Sequence, residues 1–283
     1  MIQNSLTATR ALLLMRPANY YNNEARIFIL GSIMNGFINK PALVTILACD
    51  TTQAACSACV YLPCGTCFET YKEIGRGHAE HLPLMLGDVL AQADIDFMDL
   101  DRLAVTIGPG TFAGVRVGVA AMRALNLLCG VPVQTVTTLK ALAANIVLCA
   151  NYDEAVSSPF IIGVAIDARG EQFYTQIFAD DLTPLTMPQV QTAEQFIDAC
   201  NDQVQKCALH SAPQIKLVGS GAPFFASRLP RAEIGDEAHA PRAKIIAQLA
   251  ACAPVPTDTS PPVPLYLRPP DARPNKQAPL RMA

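Results

Sequence analysis

Ile46-Leu47-Ala48-Cys49-Asp50 and Gly163-Val164-Ala165-Ile166-Asp167 decide how this chain is read. Each is a short apolar run that stops on an aspartate. Such runs, bounded by polar residues, read as buried strands. Each is followed by more strand. After the first, Cys56 to Leu62 and Cys67 to Tyr71 flank the turn signal Pro63-Cys64-Gly65-Thr66 and form a hairpin. After the second, Ala168-Arg169-Gly170 turns into Glu171 to Phe178, where Phe173, Thr175 and Ile177 alternate with polar positions.

The elements outward from these strands repeat in order. Leu82, Met85, Leu86, Val89, Leu90 and Ala93 have helical spacing, so His78 to Ala93 reads as a helix with Pro83 in or near its first turn. Leu103 to Ile107 is a strand. Phe112 to Cys129 is a helix stopped by Gly130 and Pro132. Val133 to Val136 is a strand and Leu139 to Cys149 a helix, so the first unit runs βββαβαβα. The second unit has a strand at Phe160 to Ile166, a helix from Ala193 to about Gln205, a strand at Ile215 to Val218 ending in Gly219-Ser220-Gly221, and a helix at Pro241 to Cys252. It reads as a shortened copy of the first. The expected architecture is α/β, with a first lobe over residues 42–150 and a second over 151–253.

The ends differ from this body. Residues 1–41 are rich in asparagine and sustain no period of 2 or 3.6, so they read as a flexible extension, or as sequence upstream of a later start such as Met34. Residues 254–283 hold nine of the 22 prolines, which excludes helix and central strand. That tail is expected to be extended, anchored by Leu265, Tyr266 and Leu267.

Composition sets limits on function. A chain of 283 residues, 51% hydrophobic and 16% charged, is too apolar to be disordered and long enough for about two domains. No apolar run approaches the roughly 20 residues of a membrane span. The net charge of −3 argues against a broadly basic surface that grips nucleic acid, while leaving a local basic patch open. Ten cysteines are too few for a disulfide scaffold in a chain this long, and they read as reduced, buried thiols of a cytosolic protein.

Four groups of residues carry candidate chemistry. Cys56-x2-Cys59-x4-Cys64-x2-Cys67 has knuckle-like pairs that suit zinc, but both pairs lie on strands, where positions three apart face opposite sides, so plain thiols are favoured. His78 and His81 bracket Glu80 on one helix face and read as a polar contact surface rather than a metal site, since only His210 and His239 remain elsewhere. Gly108-Pro109-Gly110-Thr111-Phe112-Ala113-Gly114-Val115-Arg116-Val117-Gly118 joins a strand to a helix. That context suits an anion cradle, with Asp50, Thr51, Gly108, Gly110 and Thr111 as phosphate candidates. Against it, Gly114, Gly118 and Ala121 form a smooth stripe for close helix packing, which is the favoured reading. Asp50 and Asp167 end strands at equivalent points of the two copies, as in cleft carboxylates of actin-like ATPases and sugar kinases.

The strand at Ile46 to Asp50, the opening His78-Ala79-Glu80, the glycine segment, Asp167-Ala168-Arg169-Gly170-Glu171 and Tyr266-Leu267-Arg268 together resemble the TsaB (YeaZ) family over residues 44 to about 272. That family is the partner subunit in synthesis of threonylcarbamoyladenosine in tRNA. The resemblance implies a two-lobed actin-like (RNase H-like, ASKHA) fold and a non-catalytic, dimerising or activating role beside a TsaD-like transferase, with a TsaE-like ATPase in the complex. It implies that tRNA is reached only indirectly, that no cofactor is the chain's own, and that a nucleotide such as ATP could lie at a subunit junction. Aligned with the catalytic relative, the metal histidines are replaced by Thr138 and Leu142. The expected partner face comprises His78, Glu80, His81, Met85, Leu86, Gly114, Gly118 and Ala121. A homodimer through the same helices is allowed, and the location is cytoplasmic with no membrane contact. The alternatives are an autonomous ATP-dependent phosphotransferase of the same fold and a zinc-binding module on Cys56 to Cys67.

Overall fold

The computed structural model describes residues 43–149, 160–207, 213–235, 240–256 and 260–268. The N-terminal segment, His210 and His239 lie outside these residues. The first sheet is built from β1 (Ile46–Asp50), β2 (Ala55–Tyr61), β3 (Cys67–Glu73), β4 (Arg102–Thr106) and β5 (Val133–Val136) in the order β3-β2-β1-β4-β5. The second is built from β6 (Phe160–Asp167), β7 (Gln172–Ala179), β8 (Gln189–Thr192), β9 (Gln214–Val218) and β10 (Ala232–Ile234). Read from its other edge, its order is β8-β7-β6-β9-β10. The two sheets therefore repeat one plan: an antiparallel meander of three strands, then two strands parallel to the first. The duplication expected from the two Asp-terminated strands is present as topology. β8 and β10, of four and three residues, are too short to give a readable period.

Among the described residues, six α-helices cover the sheets: α1 (His78–Ala93), α2 (Phe112–Cys129), α3 (Thr138–Cys149), α4 (Ala193–Cys207), α5 (Ala222–Ala226) and α6 (Ala243–Cys252). α1 and α2 lie on one face of the first sheet, burying Leu82, Met85, Val89, Val115, Val119 and Met122 against Leu47, Val60, Leu103 and Val105. α4 and α5 bury Phe196, Cys200 and Phe225 on the outer face of the second sheet. The remaining two helices exchange sheets. α3 follows β5 but packs its Leu139, Leu142 and Ile146 on Phe160, Ile162 and Val164 of the second sheet. α6 follows β10 but packs Ala243, Ile246, Ala247 and Ala250 on Ile46, Ala48 and Ala104 of the first. The two helices touch each other between the sheets. The division into lobes by chain order, near residue 150, thus differs from the division by packing. Each helix has an apolar face, and periodicity carries no information about which sheet will receive it.

Charged side chains from the first sheet hold α6 at both ends. At its N-terminus, the Glu69 carboxylate of β3 accepts from the Lys244 backbone N–H at 3.0 Å and pairs with Arg242 at 2.7 Å. Ser57 of β2 accepts from the Ala243 N–H at 3.0 Å. At its C-terminus, the fully buried Arg102 of β4 donates to the carbonyls of Ala250 and, at 3.0 Å, Ala253. A negative group at the helix N-terminus and a positive group at its C-terminus both match the helix dipole. Replacing Arg102 by leucine leaves the buried Ala250 carbonyl and the half-buried Ala253 carbonyl without that donor, and should cost about 2–4 kcal/mol. Lys216, in a half-exposed pair with Glu233, should cost under about 1 kcal/mol when changed to alanine. Urea unfolding of the two variants checks the contrast, and equal losses would remove the clamp from this account of α6.

Candidate functional site

The site candidates converge on the turn at residues 51–54, between β1 and β2. Asp50 ends β1 with its carboxylate wholly buried. One oxygen accepts from the Thr52 hydroxyl at 2.7 Å and from the Thr106 hydroxyl, and the other from the Thr52 N–H at 3.3 Å. Burial outweighs these bonds and the nearby His78, and pushes the carboxyl up to about 6. The His78 imidazole turns inward, with Nε2 2.9 Å from the Gln53 carbonyl and 3.2 Å from that of Ala55. It therefore closes the turn from the α1 side.

The start of α2 closes the turn from the other side. Thr111 caps the helix by accepting the Gly114 N–H at 3.2 Å, while its own N–H donates to the Thr52 carbonyl at 2.8 Å. The Thr51 hydroxyl donates to the Gly114 carbonyl at 2.7 Å and accepts the Gly118 N–H at 3.0 Å. A Cβ at Gly110 would stand 2.3 Å from the Thr52 carbonyl oxygen, one at Gly114 2.0 Å from the Thr51 carbonyl oxygen, and one at Gly118 2.8 Å from the Thr51 hydroxyl. The glycines exist so that this turn can seat. Gly108, with φ near +106°, gives its own close approach to the Leu265 carbonyl.

These contacts correct the expected partner face. Gly114 and Gly118 are buried against the chain's own turn, which takes the space a neighbouring helix was expected to fill. Met85 and Leu86 belong to the core under α1, and His78 is buried with them. Glu80 is exposed, and His81 and Ala121 are half-buried. The phosphate candidates are also drawn into the interior: Asp50 and Thr51 are buried, and the amide of Thr111 is already taken by Thr52.

The outward face of α1 and α2 lies on different residues. α1 presents Leu84, 68% exposed, beside exposed Gly87 and Ala91. α2 presents exposed Ala113, Ala120 and Ala124, with Leu127 86% and Leu128 64% exposed. α1 and α2 are neighbours on the sheet, and each carries exposed apolar residues on its outward side, on α1 alongside exposed Glu80 and Asp88. Its signal was present in the sequence, as apolar residues on the wrong side of two amphipathic helices, but the glycine spacing was the more conspicuous pattern.

The second lobe repeats the arrangement in simpler form. Asp167 is exposed; its N–H donates to the Ser220 hydroxyl at 3.0 Å and its carboxylate accepts from the Arg169 N–H at 2.8 Å. A Cβ at Gly219, which directly follows β9 with φ near +98°, would stand 2.4 Å from the carbonyl oxygen of Ala165 in β6.

The paired cysteines separate as strand geometry requires. Cys56 faces the core under α1 and α2, and Cys59 the core under α6. The described cysteines are all free thiols, with Cys64 and Cys207 exposed and Cys67, Cys129 and Cys252 half-buried, so burial is less general than expected. Among the described residues, no three His, Cys, Asp or Glu side chains gather in a metal-ligating group. Thr138 and Leu142 are both fully buried at the start of α3.

Two measurements follow from this geometry. Gly114→Ala should cost about 2–3 kcal/mol by overpacking, despite a gain of up to about 1 kcal/mol in helix propensity; an unchanged urea midpoint would mean that the turn yields freely. Asp50 has a folded pKa near 6, above its ordinary 3.8, so the native state holds the extra proton between these values. Stability should therefore fall as pH rises from about 4 to about 6 and level off above, by at most roughly 3 kcal/mol. Asp50→Asn should lose this slope, read from urea midpoints across that range.

Known proteins match this chain in sequence and in shape. The family model described as "TsaD: tRNA N6-adenosine threonylcarbamoyltransferase" matches residues 72–241. An uncharacterized protein of Mycobacterium tuberculosis is 27% identical over 239 residues, covering 84% of this chain and 98% of its own length. The tRNA threonylcarbamoyladenosine biosynthesis protein TsaB of Escherichia coli is 34% identical over 98 residues, 35% of this chain and 42% of that protein. A solved Pseudomonas aeruginosa protein, described as similar to peptidase YeaZ, superposes with a TM-score of 0.63 at 24% identity, over 80% of this chain and all of that one. With its two repeated mixed sheets, the chain belongs to the threonylcarbamoyltransferase-related family that this model defines, and within it to the TsaB/YeaZ group.

Proposed function

We propose that this chain is a non-catalytic, cytoplasmic subunit that activates a TsaD-like transferase in tRNA threonylcarbamoyladenosine synthesis. The observation that carries the reading is the apolar surface of Leu84, Ala120, Ala124, Leu127 and Leu128. Large leucines left in water beside exposed alanines are the composition of a protein contact. A TsaD-like subunit would cover it, and a second copy of this chain would cover it in the absence of that partner. A TsaE-like ATPase would join the assembled pair.

The interior of the chain supports a role without chemistry of its own. The turn at Thr51 and Thr52 fills the space at the start of α2 that a phosphotransferase would offer to phosphate. Cys56 and Cys59 point into different cores, which leaves a zinc module without its first knuckle. Thr138 and Leu142 stand where the catalytic relatives' metal histidines are expected, and a leucine side chain has no donor atom.

Leu127→Asp should leave the melting curve nearly unchanged and abolish association with a TsaD-like protein, as read by co-purification and by analytical ultracentrifugation of the mixture. Normal association of that variant would show that another surface does the binding. The isolated chain should give no threonylcarbamoyl transfer, and transfer without any TsaD-like protein would sink the non-catalytic reading.

A further inference from the structure

The end of the molecule where β4, β6 and β9 stop carries a feature repeated in both lobes. Phe112 and Arg116, one turn apart at the start of α2, form a stack with the guanidinium carbon 3.7 Å from the ring centre. Phe224 and Arg228 do the same at the equivalent place in the second lobe, on and just after α5, at 3.8 Å. α2 follows β4 and α5 follows β9, and these are the strands that lie parallel beside β1 and β6. The two lobes thus display the same exposed pairing of an aromatic ring and a guanidinium at corresponding positions.

The C-terminal tail runs from the first of these stacks to the end of β6. The Leu265 N–H donates to the Ile107 carbonyl at 2.7 Å, just past β4. Arg268 donates to the carbonyls of Ala168 at 2.9 Å and Arg169 at 3.3 Å, just past β6. Three residues of backbone, at most about 11 Å, and the Arg268 side chain together span from the end of β4 to the end of β6. Between these anchors, Tyr266 packs on Phe112 with ring centres 5.5 Å apart, and its hydroxyl accepts from Arg116 at 2.9 Å. Phe112, Phe224 and Tyr266 remain substantially exposed. In a chain of net charge −3, this end gathers Arg116, Arg169, Arg228 and Arg268 against exposed Asp167 and Glu171.

We propose that this end of the molecule is a contact surface for unpaired RNA, with bases stacking on Phe112, Tyr266 and Phe224 and phosphates meeting the arginines. Exposed rings with guanidinium groups stacked beside them suit unpaired bases, since every base offers a π-face and every phosphate a charge. The family resemblance implied only indirect contact with tRNA; here the chain touches it directly. The inference rests on the reading of the chain as a tRNA-modification subunit, and on that reading the RNA is the tRNA being modified.

The test uses the full chain and an unmodified tRNA transcript whose anticodon is followed by adenosine. Anisotropy titrations between about 50 and 200 mM salt should show saturable binding that weakens as salt rises. The Phe112→Ala, Tyr266→Ala double variant should weaken it by about tenfold or more. Arg228→Gln should reduce the salt slope by about 0.7. Leu127→Asp should bind the tRNA normally while losing the transferase. Absence of saturable binding by the unchanged chain, or wild-type affinity in the aromatic and arginine variants, overturns the proposal. Loss of transferase association in the aromatic variant with tRNA affinity intact also overturns it, by making this end a protein interface. If the unchanged chain fails to associate with a TsaD-like protein, the parent reading fails, whereas normal association and transfer with unaltered tRNA affinity in the variants ends this inference alone.

Discussion

The seating of Thr51 against Gly114 is the contact on which the first lobe depends. The Thr51 carbonyl occupies the place where a Cβ would be, and its hydroxyl bridges the Gly114 carbonyl and the Gly118 N–H. A helix held by two successive turns of its backbone cannot rotate about its axis. That fixes which residues of α2 face inward: Val115, Val119 and Met122 on Leu103 and Val105. It equally fixes which face outward, and so makes Ala120, Ala124 and Leu127 a surface rather than a core. In the second lobe a glycine also permits a close backbone approach, at a different place: Gly219, just after β9, lies against the Ala165 carbonyl within β6.

The lobes are joined by a second device, the exchange of α3 and α6. Each helix is covalently attached to one repeat and buried on the other, so neither sheet completes its core without residues from the far side of the chain. α6 could slide along a face made of Ile46, Ala48 and Ala104, because small apolar contacts resist sliding weakly. Glu69 at its start and Arg102 at its end remove that freedom. Burying Arg102 carries a desolvation cost, which draws its pKa down, and the two carbonyls it holds offset that cost. The contribution of the clamp is to register as much as to stability.

The sequence made the order of elements readable, because hydrophobic period and turn residues are local quantities. The strands at Ile46 and Gly163, the hairpin around Gly65 and the stop at Gly130 needed no tertiary information. The site was less legible. Gly114 and Gly118 announce that something comes close, but nothing in their spacing says whether it is a helix, a phosphate or the chain's own turn. His78 and His81 share a helix face only coarsely: a difference of about 60° lets one imidazole enter the core and leaves the other half outside. Arg102 is invisible for the opposite reason, a single charge at the edge of an apolar strand whose partners lie some 150 residues away. The exchange of α3 was hidden because Leu139 to Leu148 is apolar on nearly every side, so its pattern names no preferred face.

α2 concentrates these constraints in one element. By length and composition it could cross a membrane. Its apolar residues have other destinations here, since Val115, Val119 and Met122 fill the core while Leu127 and Leu128 stand outside it. Its two cations are also placed: Arg116 reaches Tyr266, and Arg123 donates to the Pro262 carbonyl at 2.8 Å. The tail therefore runs along one flank of the helix and leaves the Ala120, Ala124 and Leu127 flank open. A helix with three separate surfaces has little room for ordinary solvent-facing charge, which is why its sequence is so apolar. The same partition places the Phe112–Arg116 stack in the first turns of the helix and the exposed Leu127 and Leu128 in its last turn.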